Sequence, residues 1–331
     1  MKKKMYEPSI VAIGGGTGLS TMLRGLKKYS KNITAIVTMA DDGGSSGMLR
    51  AELGMPPPGD VRNCLQALAN TEPIMSQILD YRFSEGGLKG QNLGNLMLAA
   101  LTDISGSFND AVRQLSEVLA ITGRVLPVTA EDVRLSALFD DGSEVLGESK
   151  IGCYKKSAGR RISRVKLLPE TPPALEESLL AIEEADLVLL GPGSLYTSII
   201  PNLLTAGIVD AIASSKALKL YILNVSTEGS ETGNYTASDH IRALFTHSKC
   251  KLFEFCLANS EPFPEEVSLR HKEKGGAQVL IDKDKLEELG IKLILRPMLN
   301  CDDGFAHHDS ALLAKEIMSA YRAESLTRIY I

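Results

Sequence analysis

The run Ile10-Val11-Ala12-Ile13-Gly14-Gly15-Gly16-Thr17-Gly18-Leu19-Ser20 constrains this chain more than any other segment. Apolar residues lead into a glycine cluster, and Met22, Leu23 and Leu26 follow at helical spacing, so the stretch predicts strand, tight turn, helix. Glycines let a backbone approach a ligand closely, and the unpaired amides and positive dipole end of a helix favour an anion there. Gly14 and Gly16 fill the first two positions of a dinucleotide fingerprint, but Leu19 takes the third, and no P-loop Gly-Lys-Ser/Thr follows. The turn reads as a phosphate cradle of another kind, with a plain strand-to-helix turn as the alternative.

The rest of the chain supplies the fold around that turn. With 331 residues and 44% hydrophobic content, it can bury a large core. Ile33 to Thr38 reads as a second strand, followed by the polar loop Asp41-Asp42-Gly43-Gly44-Ser45-Ser46-Gly47. Helical patterning covers Val61 to Ala69, Pro73 to Arg82, Leu93 to Leu101 and Phe108 to Leu119. Short alternating strands then appear at Arg124 to Val128, Val133 to Phe139, Glu144 to Glu148 and Ile162 to Leu168, with a hairpin turn at Asp140-Asp141-Gly142. Strand–helix alternation resumes at Leu187 to Leu190, with further strands expected at Lys219 to Asn224, Leu252 to Leu257, Gln278 to Ile281 and Lys292 to Leu295, and a last helix from about Ser310 to Tyr321. The pattern predicts a doubly wound, mainly parallel α/β sheet of Rossmann type with a small β insertion. Its expected divisions are a nucleotide-binding half over residues 1–121, a β-rich insertion over 122–170 and an α/β half over 171–331 completing the same sheet.

In such sheets ligands bind beyond the carboxyl ends of the strands. One strand ends in the glycine cluster, a second in Asp41-Asp42, and the Leu187 strand in Gly191-Pro192-Gly193-Ser194-Leu195-Tyr196-Thr197-Ser198. In that last loop Ser194 is placed to cap a helix, with the hydroxyls of Thr197 and Ser198 in its first turn, so two anion cradles face one another. Asp41 and Asp42 would repel a phosphate unless a metal or a ribose hydroxyl intervenes, so metal or ligand contact is expected of them, with Asx-turn chemistry as the alternative. Asp60 after Pro56-Pro57-Pro58-Gly59 reads as an N-cap, and Arg62 in the same first turn, where the helix dipole disfavours a cation, points to a nearby anion. Tyr6, Tyr81, Tyr196 and Tyr235 are available to stack on a base.

Other classes are set aside. The net charge of −5 gives no basic surface for nucleic acid. No apolar run of secretory or membrane-spanning length follows Lys2-Lys3-Lys4, so a cytoplasmic protein without a membrane span is expected. The five scattered cysteines show no metal or disulfide spacing, and His307-His308, adjacent in sequence, read as structural rather than metal-binding. Gly191-Pro192-Gly193-Ser194 lacks the order of a hydrolase elbow, and no nucleophile–base pair is recognisable. A nicotinamide-linked oxidoreductase is disfavoured by the broken fingerprint.

The glycine cluster, Ala40 to Gly47, Pro58 to Asn63, Leu93-Gly94-Asn95, Gly191 to Ser198 and Asn224-Val225 with Gly229, Glu231-Thr232 and Tyr235 together resemble the YvcK family of gluconeogenesis factors, with a fainter match at Gly304 to Asp309. The resemblance implies a cytoplasmic bacterial protein needed for growth and cell shape on gluconeogenic carbon sources, which binds UDP-sugars and has no established reaction. That family is similar to 2-phospho-L-lactate transferase, in which acidic residues matching Asp42 and Asp60 lie near a diphosphate and its metal. The transferase continues with a further acidic residue where this chain has Arg62-Asn63, which points away from deazaflavin chemistry.

The expected ligand is therefore a UDP-sugar, held by Gly14, Gly15, Gly16, Thr17 and Gly18 and by Gly193, Ser194 and Thr197. Asp41, Asp42, Gly43, Gly44, Ser45, Asp60, Arg62, Asn63, Asn95 and Asn224 complete the expected set. No catalytic residue is assigned and no cofactor is required, with Mg²⁺ on Asp42 and Asp60 accompanying the diphosphate. A regulatory binding protein is expected, homo-oligomeric and with a protein partner in cell-wall regulation. A phospho-group transferase of the 2-phospho-L-lactate type is the alternative.

Overall fold

A computed structural model describes residues 7–329. Lys2-Lys3-Lys4 and Tyr6 lie outside the described residues. Twelve strands run β1 Ile10–Gly14, β2 Ile33–Val37, β3 Arg124–Pro127, β4 Arg134–Phe139, β5 Glu144–Leu146, β6 Ile162–Leu168, β7 Leu187–Leu190, β8 Leu218–Ile222, β9 Phe255–Asn259, β10 Lys292–Arg296, β11 Leu299–Asn300 and β12 His307–His308. Seven of them form one all-parallel sheet in the order β10-β9-β8-β7-β1-β2-β3. Every residue of β1, β2, β7 and β9 is buried, as the continuous apolar runs of strands covered on both faces require. Chain order reverses between β1 and β7, where β1 continues to β2 and β3 on one side while β7 leads to β8, β9 and β10 on the other. This is the switch point at which doubly wound sheets open a crevice.

Helix α1, Gly16–Leu26, packs Leu19, Met22, Leu23 and Leu26 onto the sheet. The next helix stands where the sequence predicts a loop. The loop expected at Asp41 to Gly47 opens instead into α2, Gly44–Leu53, whose glycine- and serine-rich first turn is held by tertiary bonds: Ser45 Oγ donates to Gln91 at 2.7 Å, and Gly59 N–H donates to Ser46 Oγ at 3.0 Å. Next come α3, Gly59–Leu68; α4, Pro73–Asp80; α5, Leu93–Ser105; and α6, Phe108–Val118.

The expected β insertion is smaller and more mixed than its sequence suggests. Arg124 to Val128 belongs to the central sheet, pairing as β3 with β2. The excursion proper is the antiparallel sheet β5-β4-β6 with a helix, α7, Glu148–Ala158, inserted before β6. Gln278 to Ile281 forms no strand of the sheet, because its residues make only isolated bridges, Gln278 to Ser226 and Leu280 to Thr236. Among the described residues no helix is long and apolar enough to cross a membrane, and the five cysteines are free.

Candidate functional site

A cleft of about 610 Å³ opens at the carboxyl ends of β1, β7 and β8. Gly15, Gly16, Thr17 and Gly18 form one wall with Thr21; Pro192, Gly193, Ser194 and Ser198 form the facing wall. Gly16 has φ +67°, a left-handed conformation that favours glycine. A Cβ on Gly18 would stand 2.8 Å from Pro192 O and 3.1 Å from Gly193 N, so the two loops touch through backbone alone. Asn224 braces the second loop by accepting from Gly193 N–H at 3.1 Å and donating to Gly193 O at 2.8 Å.

Beneath the first loop lies a carboxyl group. Asp60 sits within the first turn of α3 and accepts the Gly16 amide, so it does not act as the N-cap that its position after Gly59 suggested; Pro58 stands there. Burial and the neighbouring Asp41 push the Asp60 carboxyl up to about 7. Arg62, read as a phosphate contact, points elsewhere: it donates to Leu79 O at 2.8 Å, Asp80 Oδ1 at 3.1 Å and Asn63 Oδ1 at 2.6 Å. Its charge answers Asp80 on α4 rather than a ligand anion. Asn63 is thereby occupied. Asn95, buried, gives its backbone N–H to Asn92, which caps α5.

The second loop does not form the open cradle expected of it. Leu195–Ile199 is a short π-helical turn running into Ile200–Leu203, and Ser194 stands at its cap position without a side-chain hydrogen bond to the helix backbone. A single segment after β8 fills its polar groups. Glu231 accepts from Tyr196 N–H at 2.8 Å and from Thr197 Oγ1 at 2.6 Å, while Ser194 Oγ donates to Glu228 at 3.0 Å. Burial raises the pKa of both glutamates. A carboxylate already occupies a helix start that could otherwise accept a phosphate. Glu228 lines the cleft beside Ser194, a hydroxyl–carboxylate pair that no sequence spacing revealed.

Asp41 does the local work that Asx chemistry assigns it, whereas Asp42 reaches a distant helix start. Asp41 Oδ1 accepts from Gly43 N–H at 2.9 Å, and Asp42 Oδ1 accepts from Ser149 N–H at 2.8 Å in the first turn of α7. They and Asp60 raise Glu148 to about 7, after burial as the main cause. Of the expected residues, Gly15, Gly16, Thr17, Gly18, Gly193, Ser194 and Asn224 line the cleft. Gly14, Asp41, Asp42, Gly43, Gly44, Ser45, Asp60, Arg62, Asn63, Asn95 and Thr197 do not. Among the described residues no group of three or more His, Cys, Asp or Glu is arranged to hold a metal ion.

The third wall was missed. His271, Lys274, Phe305, His307 and His308 all line the cleft. Ala306 N–H donates to His271 Nε2 at 2.9 Å, and Lys274 Nζ lies 3.7 Å over the Phe305 ring. Burial, then His307, lowers His308 to about 4, so its ring is neutral at pH 7; its Nε2 has no hydrogen-bond partner. The faint signal at Gly304 to Asp309 was the available clue. Phe305 is also the aromatic ring at the cleft. Tyr196 and Tyr235 instead bond each other through their hydroxyls at 2.7 Å, and Tyr81 is exposed away from it.

The class this geometry defines is a doubly wound α/β protein with a glycine-walled cleft at its switch point. The family described as 2-phospho-L-lactate transferase CofD matches residues 10–299. A gluconeogenesis factor of Bacillus subtilis is 46% identical over 309 residues, 93% of this chain and 96% of that protein, and one of Listeria monocytogenes is 41% identical over 96% of this chain and 97% of its own. A crystal structure of a Bacillus halodurans protein superposes with a TM-score of 0.91 at 44% identity, covering 95% of this chain and all of that one. The chain belongs to the CofD family, in its gluconeogenesis-factor branch.

Proposed function

We propose that this protein binds a nucleoside diphosphate sugar, specifically a UDP-sugar, in the cleft between the Gly15–Gly18 and Pro192–Ser194 loops. On this reading the bound state reports metabolic supply to a protein partner during growth and shape maintenance on gluconeogenic carbon. The carrying observation is the backbone contact of the two loops at Gly18: it makes the start of α1 one wall of a cleft that Lys274 also lines. The relatives' naming as gluconeogenesis factors supports the physiological setting.

An accompanying Mg²⁺ is a further part of the proposal, one for which the described residues form no ready-made group of three or more ligands. Asp60 is held near neutrality by burial and Asp41, while the adjacent arginines are engaged elsewhere, Arg62 on Asp80 and Arg50 on Asp132. Hard carboxylate oxygens with too little positive charge around them suit a hard divalent cation. On this reading Asp60 would hold it, together with Asp42 once that residue lets go of Ser149 N–H; when bound, such an ion offsets diphosphate charge. Equal nucleotide affinity in EDTA and in excess Mg²⁺ would remove the ion from this reading.

Ser194 and Glu228 favour a second reading, a phospho-group transferase, because a carboxylate at 3.0 Å from a hydroxyl in the cleft is placed as a base. One experiment separates the two. The protein is incubated with UDP-sugar, with and without cell extract as a source of acceptors, and the nucleotide pool is resolved by chromatography. Intact recovery after calorimetrically measured binding supports the regulatory reading; steady protein-dependent release of UDP or UMP overturns it in favour of transfer.

A further inference from the structure

A second cavity of about 650 Å³ adjoins the cleft and shares Gly229 and Lys274 with it. Its charge is unlike that of the chain as a whole. Overall 41 acidic residues outnumber 36 basic ones, yet here Lys155, Arg160, Arg161 and Lys274 stand against one carboxylate, Glu273. Lys155 is built into the wall rather than trailing in solvent: Nζ donates to Gly229 O at 3.0 Å, and burial lowers its pKa, opposed by Glu231 and assisted by Arg161. Arg160 is engaged by Asp141 at 3.3 Å. The Arg161 guanidinium has no ion-pair or hydrogen-bond partner among the described residues. Glycine backbone makes up much of the remaining wall, and a Cβ on Gly233 would come 3.6 Å from Lys155 Nζ.

Three of these cations are already engaged, Arg160 by Asp141, Lys155 by Gly229 O and Lys274 over the Phe305 ring, so the exposed Arg161 guanidinium at the edge of the cavity is the one left for an anionic ligand. A guanidinium without a protein partner suits a carboxylate or phosphate rather than an uncharged base. The shared wall makes the cavity continuous with the place where the diphosphate is proposed to lie. We infer that this basic annex receives a second anionic group, carried on the sugar of the nucleotide held in the cleft. The preferred ligand is thus an acidic nucleotide sugar, an assignment that rests on the nucleotide reading above.

Calorimetry at low ionic strength with UDP-glucose and UDP-glucuronate tests it, since the two differ only by a hydroxymethyl against a carboxylate. UDP-glucuronate should bind about tenfold more tightly, the scale of one charge-assisted contact. Arg161→Gln should remove that difference and leave UDP-glucose affinity unchanged. Equal affinities in the native protein, or a difference that survives in R161Q, overturn the annex while the nucleotide reading stands. If neither nucleotide binds, both fall. Inorganic phosphate titrated into the UDP-glucose complex distinguishes the source of the anion: phosphate binding that depends on Arg161, with UDP-glucuronate no tighter than UDP-glucose, assigns the annex to a separate molecule and overturns the attached-group form.

Discussion

The loops after β1 and β7 are the same device in sequence and different devices in space. Each follows a buried parallel strand, each is glycine-rich and each starts a helix. The first keeps its exposed Thr17 and its helix start on the cleft, giving up the Gly16 amide to Asp60. The second surrenders an amide and two hydroxyls to Glu228 and Glu231 from one neighbouring segment. A helix start attracts negative charge whether a ligand or the protein supplies it, so the local motif cannot say which.

The largest effect is expected where the loops meet. Gly18→Val would drive a side chain into the Pro192 carbonyl, forcing apart two segments that approach through backbone. We expect UDP-sugar affinity to fall at least tenfold, with overpacking destabilising the fold by about 1–3 kcal/mol. Calorimetric titration and thermal melting check the two parts; unchanged affinity would show that the loops work independently.

Next comes the contrast in filling. Glu228 faces the cleft with a carboxylate whose pKa burial raises, and when ionised it opposes a diphosphate. Nucleotide binding should therefore weaken as rising pH ionises Glu228. Glu228→Gln should tighten binding roughly threefold where Glu228 is ionised and flatten the profile, since about 0.65 kcal/mol corresponds to threefold. An unaltered pH profile in E228Q would mean that the first loop carries the anion alone.

Stability should carry its own pH signature. Asp60 is raised from 3.8 to about 7, so the folded state retains a proton that the unfolded chain has already lost. Its contribution is complete below about pH 4 and is lost as pH rises through 7. The melting temperature should accordingly drop by on the order of a few degrees between pH 5 and 8, and Asp60→Asn should shallow that slope. An equal slope in D60N refutes the assignment. The smallest effect belongs to Asp42→Ala, which removes the acceptor for Ser149 N–H at the start of α7 and should cost about 0.5–1 kcal/mol by melting, with little change in nucleotide affinity unless a metal is held there.

These expectations show where sequence was a sufficient guide. The apolar runs of β1, β2 and β7 announced a parallel sheet because strands covered on both faces must be apolar throughout, a property that pairing partners cannot alter. The glycine turn was equally plain, since a left-handed Gly16 and a side-chain-free Gly18 leave few alternatives. Helix α2 was hidden because Gly44, Ser45 and Ser46 carry loop propensities that Gln91 and Gly59 outweigh from far along the chain.

The sequence by itself determined the α/β class, the switch-point strands and the backbone of the first cradle, all consequences of local periodicity and of glycine's missing side chain. Only the tertiary structure decided what each polar group meets. It turned Arg62 to Asp80, put Glu231 into the second helix start, and brought His271, Lys274 and Phe305 from the far end of the chain to close the cleft. Charge and hydrogen-bond partners are settled by proximity in space, and residue spacing does not record which separate segments will meet.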